Sequence, residues 1–523
     1  MAVGEAVEVA VGLAFRCSPC PLEFEPDSES GDSANADTFE VKKGKTTRAN
    51  VNVTFAIRFW ALGKTTISAG GTGIEFTGPS FRITWGDRFR KGILLTDRQL
   101  PESRFGLALQ DKPTNLPGLF VNSTAVDVPS DFKITDALAL DGMAFIFEGQ
   151  GLVGRGAVLT LSATGPDRIE KLATQWRELC SKAEFDGGGT PAKLLAFGAI
   201  VFDSQSKVTS TLTIPRQVLT VRNGKATLTN ITTSRFATPT TLGPEWFAPV
   251  APQKPISLLP GTVSESGFES LVESALQRID AGEVEKVVVA REVTAKIGRD
   301  FDPRQAIVRL TQRYPSCWTY WVNKNFGASP ELLIRVSNRK INARVLAGSA
   351  ARGTDPTIDE AIATALKASA KNRHEHRLAI DSLVGSLLPY CANLDADSEP
   401  FSLALPNLWH LASDVRGTLD HRNSSLDVLA ALHPTAAVAG TPLTAAQAAI
   451  RQLEPFDRGV YAGPVGWIDS TGDGEWVIAL RGASIGHGTI TAMAGCGIVA
   501  GSDPEAELAE TELKLRPIRQ ALS

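Results

Sequence analysis

Residues 142–164 read GMAFIFEGQGLVGRGAVLTLSAT, and this run sets the first limit on the fold. Gly149, Gly151 and Gly154 spell GxGxxG after a strand-like segment. A dinucleotide-binding fold needs a helix next, with its N-terminus at the phosphates. Here GAVLTLSAT alternates with the period of a strand instead. The glycines therefore read as a hairpin, and a parallel nucleotide-binding sheet is a poor reading. The same signal recurs in TLTIPRQVLTVRNGKATLTNI, two strands about Asn223-Gly224, a residue pair that favours a tight hairpin turn. TYWV (319–322), LLIRVSN (332–338) and KINARVLAGS (340–349) read as antiparallel strands with short turns. YAGPVGWIDS, EWVIALRGASI and TITAMAGCGIV read as a further meander, with TGDG as one turn. Helical spacing appears in DRIEKLATQWRELC and in ESGFESLVESALQRIDAGEVE, where Phe268, Leu271, Val272, Ala275, Leu276 and Ile279 form one apolar stripe. The expected class is α+β, antiparallel β-sheets flanked by helices.

The signal is weaker at the N-terminus. Residues 48–137 carry Thr, Gly, Phe and Val in weak alternation, which reads as short strands without chemistry. Residues 25–37, EPDSESGDSANAD, have too little apolar area to order themselves and read as a disordered linker. Six prolines between 239 and 260 read as a linker or meandering crossover. Three parts are expected: an extension over 1–137, antiparallel strands over 138–260, and a catalytic region over 261–523. The extension is expected to be dispensable, so that a chain starting near residue 130 stays soluble and active.

Composition excludes several function classes. The 53 basic and 57 acidic residues give a net charge of −4, which leaves no general basic footprint for nucleic acid. Of six cysteines only Cys17 and Cys20 form CxxC, with no second pair to complete a zinc site. Scattered cysteines fit a reduced compartment. No apolar run of about 18 residues offers a membrane span. Glu5 and Glu8 stand where a secretory leader carries Lys or Arg. A cytoplasmic monomer that binds neither nucleic acid nor membrane is expected.

Two features point to chemistry. In KVVVARE (286–292) a lysine opens a buried strand. One explanation is a strand end snorkelling to water. The other is an amine at a cleft wall acting as a base. The second feature is a pair of helices opening on Asp-Pro. TDPTIDEAIATALKASAKNRHEHRLAIDSLVGSLL reads as one long helix capped by Asp355, with Asn372 and Glu375 on one face. SDPEAELAETELKLRPIRQAL is capped by Asp503 and aligns Glu507, Glu510 and Lys514. Such charges usually solvate a helix face. Carboxylates from two helices also suit a hard cation such as Mg²⁺. His374 and His376 flank Glu375 but point elsewhere on a helix, so zinc is not expected.

Ten segments, in order over 265–515, carry a resemblance: EKVVVARE, GASPELL, LAGSAARG, SAKNRHEH, LWHLASDVRG, LHPTAAVAGTP, EPFDRGVYAGPVGW, VIALR, AGCGIVAGS and DPEAELAETELKL. Together they resemble the chorismate-utilising enzymes (anthranilate synthase component I-like), the isochorismate synthase branch in particular. Weaker similarity, including GQGLVGRG, reaches back to about residue 138. The resemblance implies the chorismate-binding fold and a Mg²⁺-dependent isomerase that converts chorismate to isochorismate. Lys286 then matches the base that activates water and Glu331 the acid. Glu375 and Glu510 match magnesium ligands, with Glu507 a nearby carboxylate. Tyr461, Arg481 and Lys514 match groups that grip substrate carboxylates. Gly348, Ser349, His410 and Gly495 match substrate-binding positions. Asn372 stands where relatives usually carry Asp or Glu, which drops a charge beside the metal. Lysine at 286 and the stretch HPTAAVAG favour water over ammonia as nucleophile, and that stretch resembles the isochorismate more than the salicylate side, where small Ala436 and Ala437 face the site. The alternatives are salicylate synthase, which goes on to eliminate pyruvate, and an ammonia-using anthranilate or aminodeoxychorismate synthase component. A menaquinone and a siderophore pathway are both open.

Overall fold

The structure is a computed structural model. It describes residues 116–523 apart from 187–189, 238–240, 248, 251, 299, 406–407 and 422, and the backbone of seven strands within 1–115. The expected disordered linker and the CxxC lie outside the described residues. Two compact units meet at Asn115 and Leu116. In the first, Val7–Ala10, Phe39–Val41 and Val53–Ala56 form one sheet, and the strands between Thr66 and Leu95 form a four-stranded meander.

The second unit holds two large sheets. The first has 13 strands and begins Glu184–Asp186, Phe120–Val126, Lys225–Thr232 and Gln217–Arg222. It continues through the Gly142–Arg155 hairpin and Trp318–Ser329, and ends on Gly482–Ile498, Lys286–Lys296 and Leu259–Pro260. The second sheet has 10 strands, with Leu195–Ala199, Pro464–Asp469, Gly474–Ile478, Leu332–Ser337, Lys340–Ala351 and Leu408–Leu419 at its centre. Pairing in both is antiparallel, except where Glu184–Asp186 runs parallel to Phe120–Val126. The α+β expectation holds.

Strand alternation explains the layers. Phe145 joins Leu152, Phe197, Trp318, Val465 and Trp467 in an apolar layer between the sheets, while Ala144 and Ile146 face the opposite way. Those outer residues pack with Ile307, Leu310, Leu515 and Ile518 of helices Arg304–Arg313 and Pro504–Leu522. The far face of the second sheet is covered by Arg168–Ser181, Ala370–Leu387 and Ser425–Leu432.

Local chemistry places the turns where the sequence reads them and adds a helix cap that it did not mark. Gly149 turns the 142–155 hairpin with φ 74°, and Asn223-Gly224 turn the next at φ 52° and 71°. Ser264 Oγ accepts from Gly267 N at 3.0 Å and caps the helix Glu265–Asp280.

Four expectations need correction. The long helix is two, Pro356–Ala368 and Ala370–Leu387, because Ser369 adopts extended backbone and caps the second through Asn372 N. The C-terminal meander is divided between the sheets, since 464–478 lies in the second and 482–498 in the first. The parts 138–260 and 261–523 are not separate, since each contributes strands to both sheets; Trp246, in the proline-rich stretch, is fully buried. The boundary at 137 falls inside the second unit: Phe120–Val126 pairs with seven residues of Lys225–Thr232, and Leu119 and Val121 lie in the core.

A chain beginning at Leu116 is therefore expected to melt cooperatively, with the stability of the full second unit. One beginning at residue 130 loses a strand and two core side chains worth about 1.5–3 kcal/mol each. Thermal melts of the two should differ by many degrees, and equal melting temperatures would show that the strand contributes nothing.

Candidate active site

The chain crosses between sheets twice near one cavity. Strand Asn325–Ser329 belongs to the first sheet and Leu332–Ser337 to the second, so Glu331 sits on the crossing. Gly474–Ile478 and Gly482–Gly486 make the reverse crossing, which carries Arg481 in left-handed backbone at φ 51°. The crossings bond to each other. Ser329 Oγ donates to Ile478 O at 2.6 Å, Ile478 N to Glu331 O at 3.1 Å, and Ala328 N to Arg481 O at 3.3 Å. Glu331 and Arg481 both line a cavity of about 210 Å³.

Three further segments complete its walls. The pairing of Lys340–Ala351 with Leu408–Leu419 slips between Leu346 and Ser349, and all four residues 346–349 face the cavity. Gly348 has φ 84° there, and a Cβ on it would lie 3.0 Å from the Cβ of Asn372. Each of the two helices presents one face: Lys371, Asn372 and Glu375 from one, and Ala506, Glu507, Glu510 and Lys514 from the other. Their positive dipole ends favour anions.

Lys286 lies one layer behind the lining. Val288, on the same face of its strand, borders the cavity, whereas Val287 and Val289 point into the helical core. The lysine is 0% exposed, so it is not a solvated strand end. Its Nζ is 3.0 Å from Glu375 Oε1, an ion-pair contact whose angles fall outside hydrogen-bond geometry. Gly497 makes the space: a Cβ there would stand 2.7 Å from both Glu375 Oε1 and Lys286 Cε.

Each helix carboxylate has a lysine. Glu507 Oε1 is 3.2 Å from Lys371 Nζ, and Glu510 Oε1 is 2.5 Å from Lys514 Nζ, which also donates to Gly495 O at 2.9 Å. Burial pushes the Glu510 carboxyl up, but Lys514 more than offsets this and holds it below its usual range. Glu331 differs. Burial raises its pKa to about 7, although Arg481, Lys286 and Lys514 pull the other way. Burial, with Arg481 and Lys514 nearby, holds the His410 imidazole well below its usual range. Neutral His410 then accepts from Arg481 at Nε2, 3.3 Å away, and its Nδ1–H faces Ser349 Oγ at 3.0 Å.

The donor set has the chemistry of a hard-cation site. Asn372, Glu375, Glu507 and Glu510 are oxygen donors on one cavity, and Mg²⁺ needs only one or two carboxylates besides water and substrate. Among the described residues, no three acidic, histidine or cysteine side chains converge on one point. The residues fit a sparsely held hard cation and not a closed cage. His376 is no ligand: it is buried, with Nε2 2.8 Å from Ser413 Oγ and Nδ1 3.3 Å from Ala347 O.

The geometry thus brings together Glu331, Gly348, Ser349, Asn372, Glu375, His410, Tyr461, Arg481, Gly495, Glu507, Glu510 and Lys514. It corrects two placements. Lys286 is behind the wall, and of the alanine pair only Ala437 borders the cavity, Ala436 being buried elsewhere. Sequence reasoning missed Lys371 and Gly497, though both lie inside the segments SAKNRHEH and AGCGIVAGS. A second cavity of about 540 Å³ shares no lining residue with the first, and several of its charges pair with each other, as in Arg335–Glu475 and Lys193–Asp469.

Comparison with known proteins identifies the family. Residues 146–523 match a family model described as chorismate binding enzyme. Isochorismate synthase DhbC of Bacillus subtilis (strain 168) is 36% identical over 267 residues, 49% of this chain and 67% of that protein. Isochorismate synthase EntC of Escherichia coli (strain K12) is 36% identical over 256 residues, 48% of this chain and 66% of that protein. The alignments thus span about two thirds of each relative. The solved structure of MenF, the menaquinone-specific isochorismate synthase from Escherichia coli, has a TM-score of 0.64 at 26% identity and covers 78% of this chain and 95% of its own. Anthranilate synthase component I from Streptococcus pneumoniae TIGR4 shares the fold, with a TM-score of 0.53 at 20% identity over 81% of this chain and 95% of its own.

The Glu331 shift has a thermodynamic signature. Its folded pKa, about 7, exceeds the unfolded value, so between roughly pH 4.5 and 7 the native state holds a proton that the unfolded chain has lost. This side chain therefore costs stability as pH rises through that window, on the order of 3 kcal/mol in full above it. Glu331→Gln removes the cost. Its melting temperature relative to the parent should rise from pH 5 to pH 8, whereas a constant difference would contradict the shift.

Proposed function

The chain belongs to the chorismate-binding enzymes, and from that premise we propose that it is an isochorismate synthase, adding water to chorismate at C2 with loss of the C4 hydroxyl. One observation carries the reading: a buried carboxyl with a pKa near 7 borders the same cavity that a buried lysine backs through Gly497 and Glu375. Such a pair can move both protons the reaction requires.

In this reading Lys286, as a neutral amine, takes a proton from the attacking water. The water oxygen bonds to C2, the two ring double bonds shift, and the C4–O bond breaks. Glu331, protonated at neutral pH, gives its proton to the departing oxygen, which leaves as water. Arg481 offers a bidentate fork to one substrate carboxylate, with His410 holding one of its nitrogens. Lys514 and Tyr461 add contacts, and Gly348, Ser349 and Gly495 shape the wall. Glu375 and Glu510, with Glu507 and Asn372 nearby, would hold a Mg²⁺ ion, which would supply positive charge for the other carboxylate. The oxygen donors that two helices bring to one cavity support this assignment.

Purified protein with chorismate and Mg²⁺ should yield isochorismate without pyruvate or salicylate, and ammonium should not change the product. Release of pyruvate would favour salicylate synthase, and an amino product the ammonia-using relatives. Folded Lys286→Ala and Glu331→Gln should each lower kcat by about 10²–10⁴. Their combination should be little worse than either, because groups acting in one transition state are non-additive. Near-parental turnover by folded Lys286→Ala would remove it from the reaction. Glu510→Gln should fold and need far more Mg²⁺.

A further inference from the structure

The strand that carries Lys286 has an incomplete edge. One side pairs with Thr489–Ile498 throughout. On the other, Gly440 and Thr441 pair with residues 286–287, Ala439 O accepts from Val288 N at 2.9 Å, and Leu259–Pro260 pairs with residues 293–294. Between these, Val288 O and Ala290 N have side-chain partners. Arg458 NH2 donates to Val288 O at 2.8 Å, and Ala290 N donates to Glu454 Oε1 at 2.8 Å. Glu454 and Arg458 also bind each other, Nε to Oε2 at 2.8 Å, with side chains 1% and 2% exposed. The remaining guanidinium nitrogen, NH1, donates to Val438 O at 3.0 Å. The guanidinium carbon lies 4.4 Å from the Phe202 ring centre and 5.9 Å from that of Tyr461.

The pair therefore touches Val288, Val438 and Tyr461, which line the active cavity from three separate segments. Stability alone does not account for it, because a buried ion pair is often matched by apolar side chains of similar size. What apolar residues lack is a planar fork that serves two carbonyls and a carboxylate at once. We propose that Glu454 and Arg458 are positioning residues, a side-chain rung that sets the lysine strand, Val438 and Tyr461 in register around the substrate. The inference rests on the isochorismate reading of the site.

The test replaces the pair by Glu454→Leu with Arg458→Met. This double variant should fold and melt within a few degrees of the parent, yet lose 10- to 100-fold in kcat with KM for chorismate changed less than about threefold, since small misplacements of reacting groups are costly. Parental kcat in the folded variant would overturn the proposal. If that variant does not fold, Arg458→Lys, which keeps the charge without the fork, should show the same kcat loss; parental kcat there would likewise overturn it. If the parent itself does not turn over chorismate, the isochorismate reading has failed. The rung is then judged by hydrogen exchange: Ala290 NH should exchange at least tenfold faster in the variant while amides paired to Thr489–Ile498 keep their protection, and an unchanged rate would sink it.

Discussion

The site depends on two antiparallel sheets packed face to face while sharing one chain. The apolar layer of Phe145, Phe197, Trp318, Val465 and Trp467 holds the sheets together. At the crossings the backbone leaves one ladder before joining the next, so its polar groups need partners elsewhere. They find them in the opposite crossing, through Ser329, Glu331 and Ile478. Glu331 and Arg481 are thereby fixed to each other at the seam, and the cavity forms beside them.

Charge follows from that placement. The two helix faces bring carboxylates to the cavity, and each is met by a lysine: Glu375 by Lys286, Glu507 by Lys371 and Glu510 by Lys514. Among these described site carboxylates Glu331 alone has no such ion pair, and its burial dominates. One cavity therefore pushes two carboxyls apart, Glu510 down beside Lys514 and Glu331 up by burial, the separation of roles that acid–base chemistry needs.

Much of the local structure was legible. The 142–155 and 217–232 hairpins, the caps at Asp355 and Asp503, and the apolar stripe of Glu265–Asp280 all rest on short-range chemistry. Less legible was the break at Ser369, because every neighbour favours helix and one extended residue costs little when its hydroxyl caps the next helix. The start of the second unit, from Leu116, was equally hard to read, since Phe120–Val126 alternates only weakly and is specified by its partners.

The sequence by itself determined which residue types the site would contain and which elements would carry them. Lysine at a strand start, carboxylates at helical spacing and glycines at tight turns are local facts that the order of residues writes directly. Only the tertiary structure decided that the C-terminal meander splits between sheets, that Lys286 is sealed behind Gly497, and that Glu454 and Arg458 complete the edge of its strand. These depend on groups distant in the chain, such as Val288 and Arg458 at 170 residues, meeting in a dry interior. There burial sets protonation and an unpaired polar atom is costly, and no window of neighbouring residues records either effect.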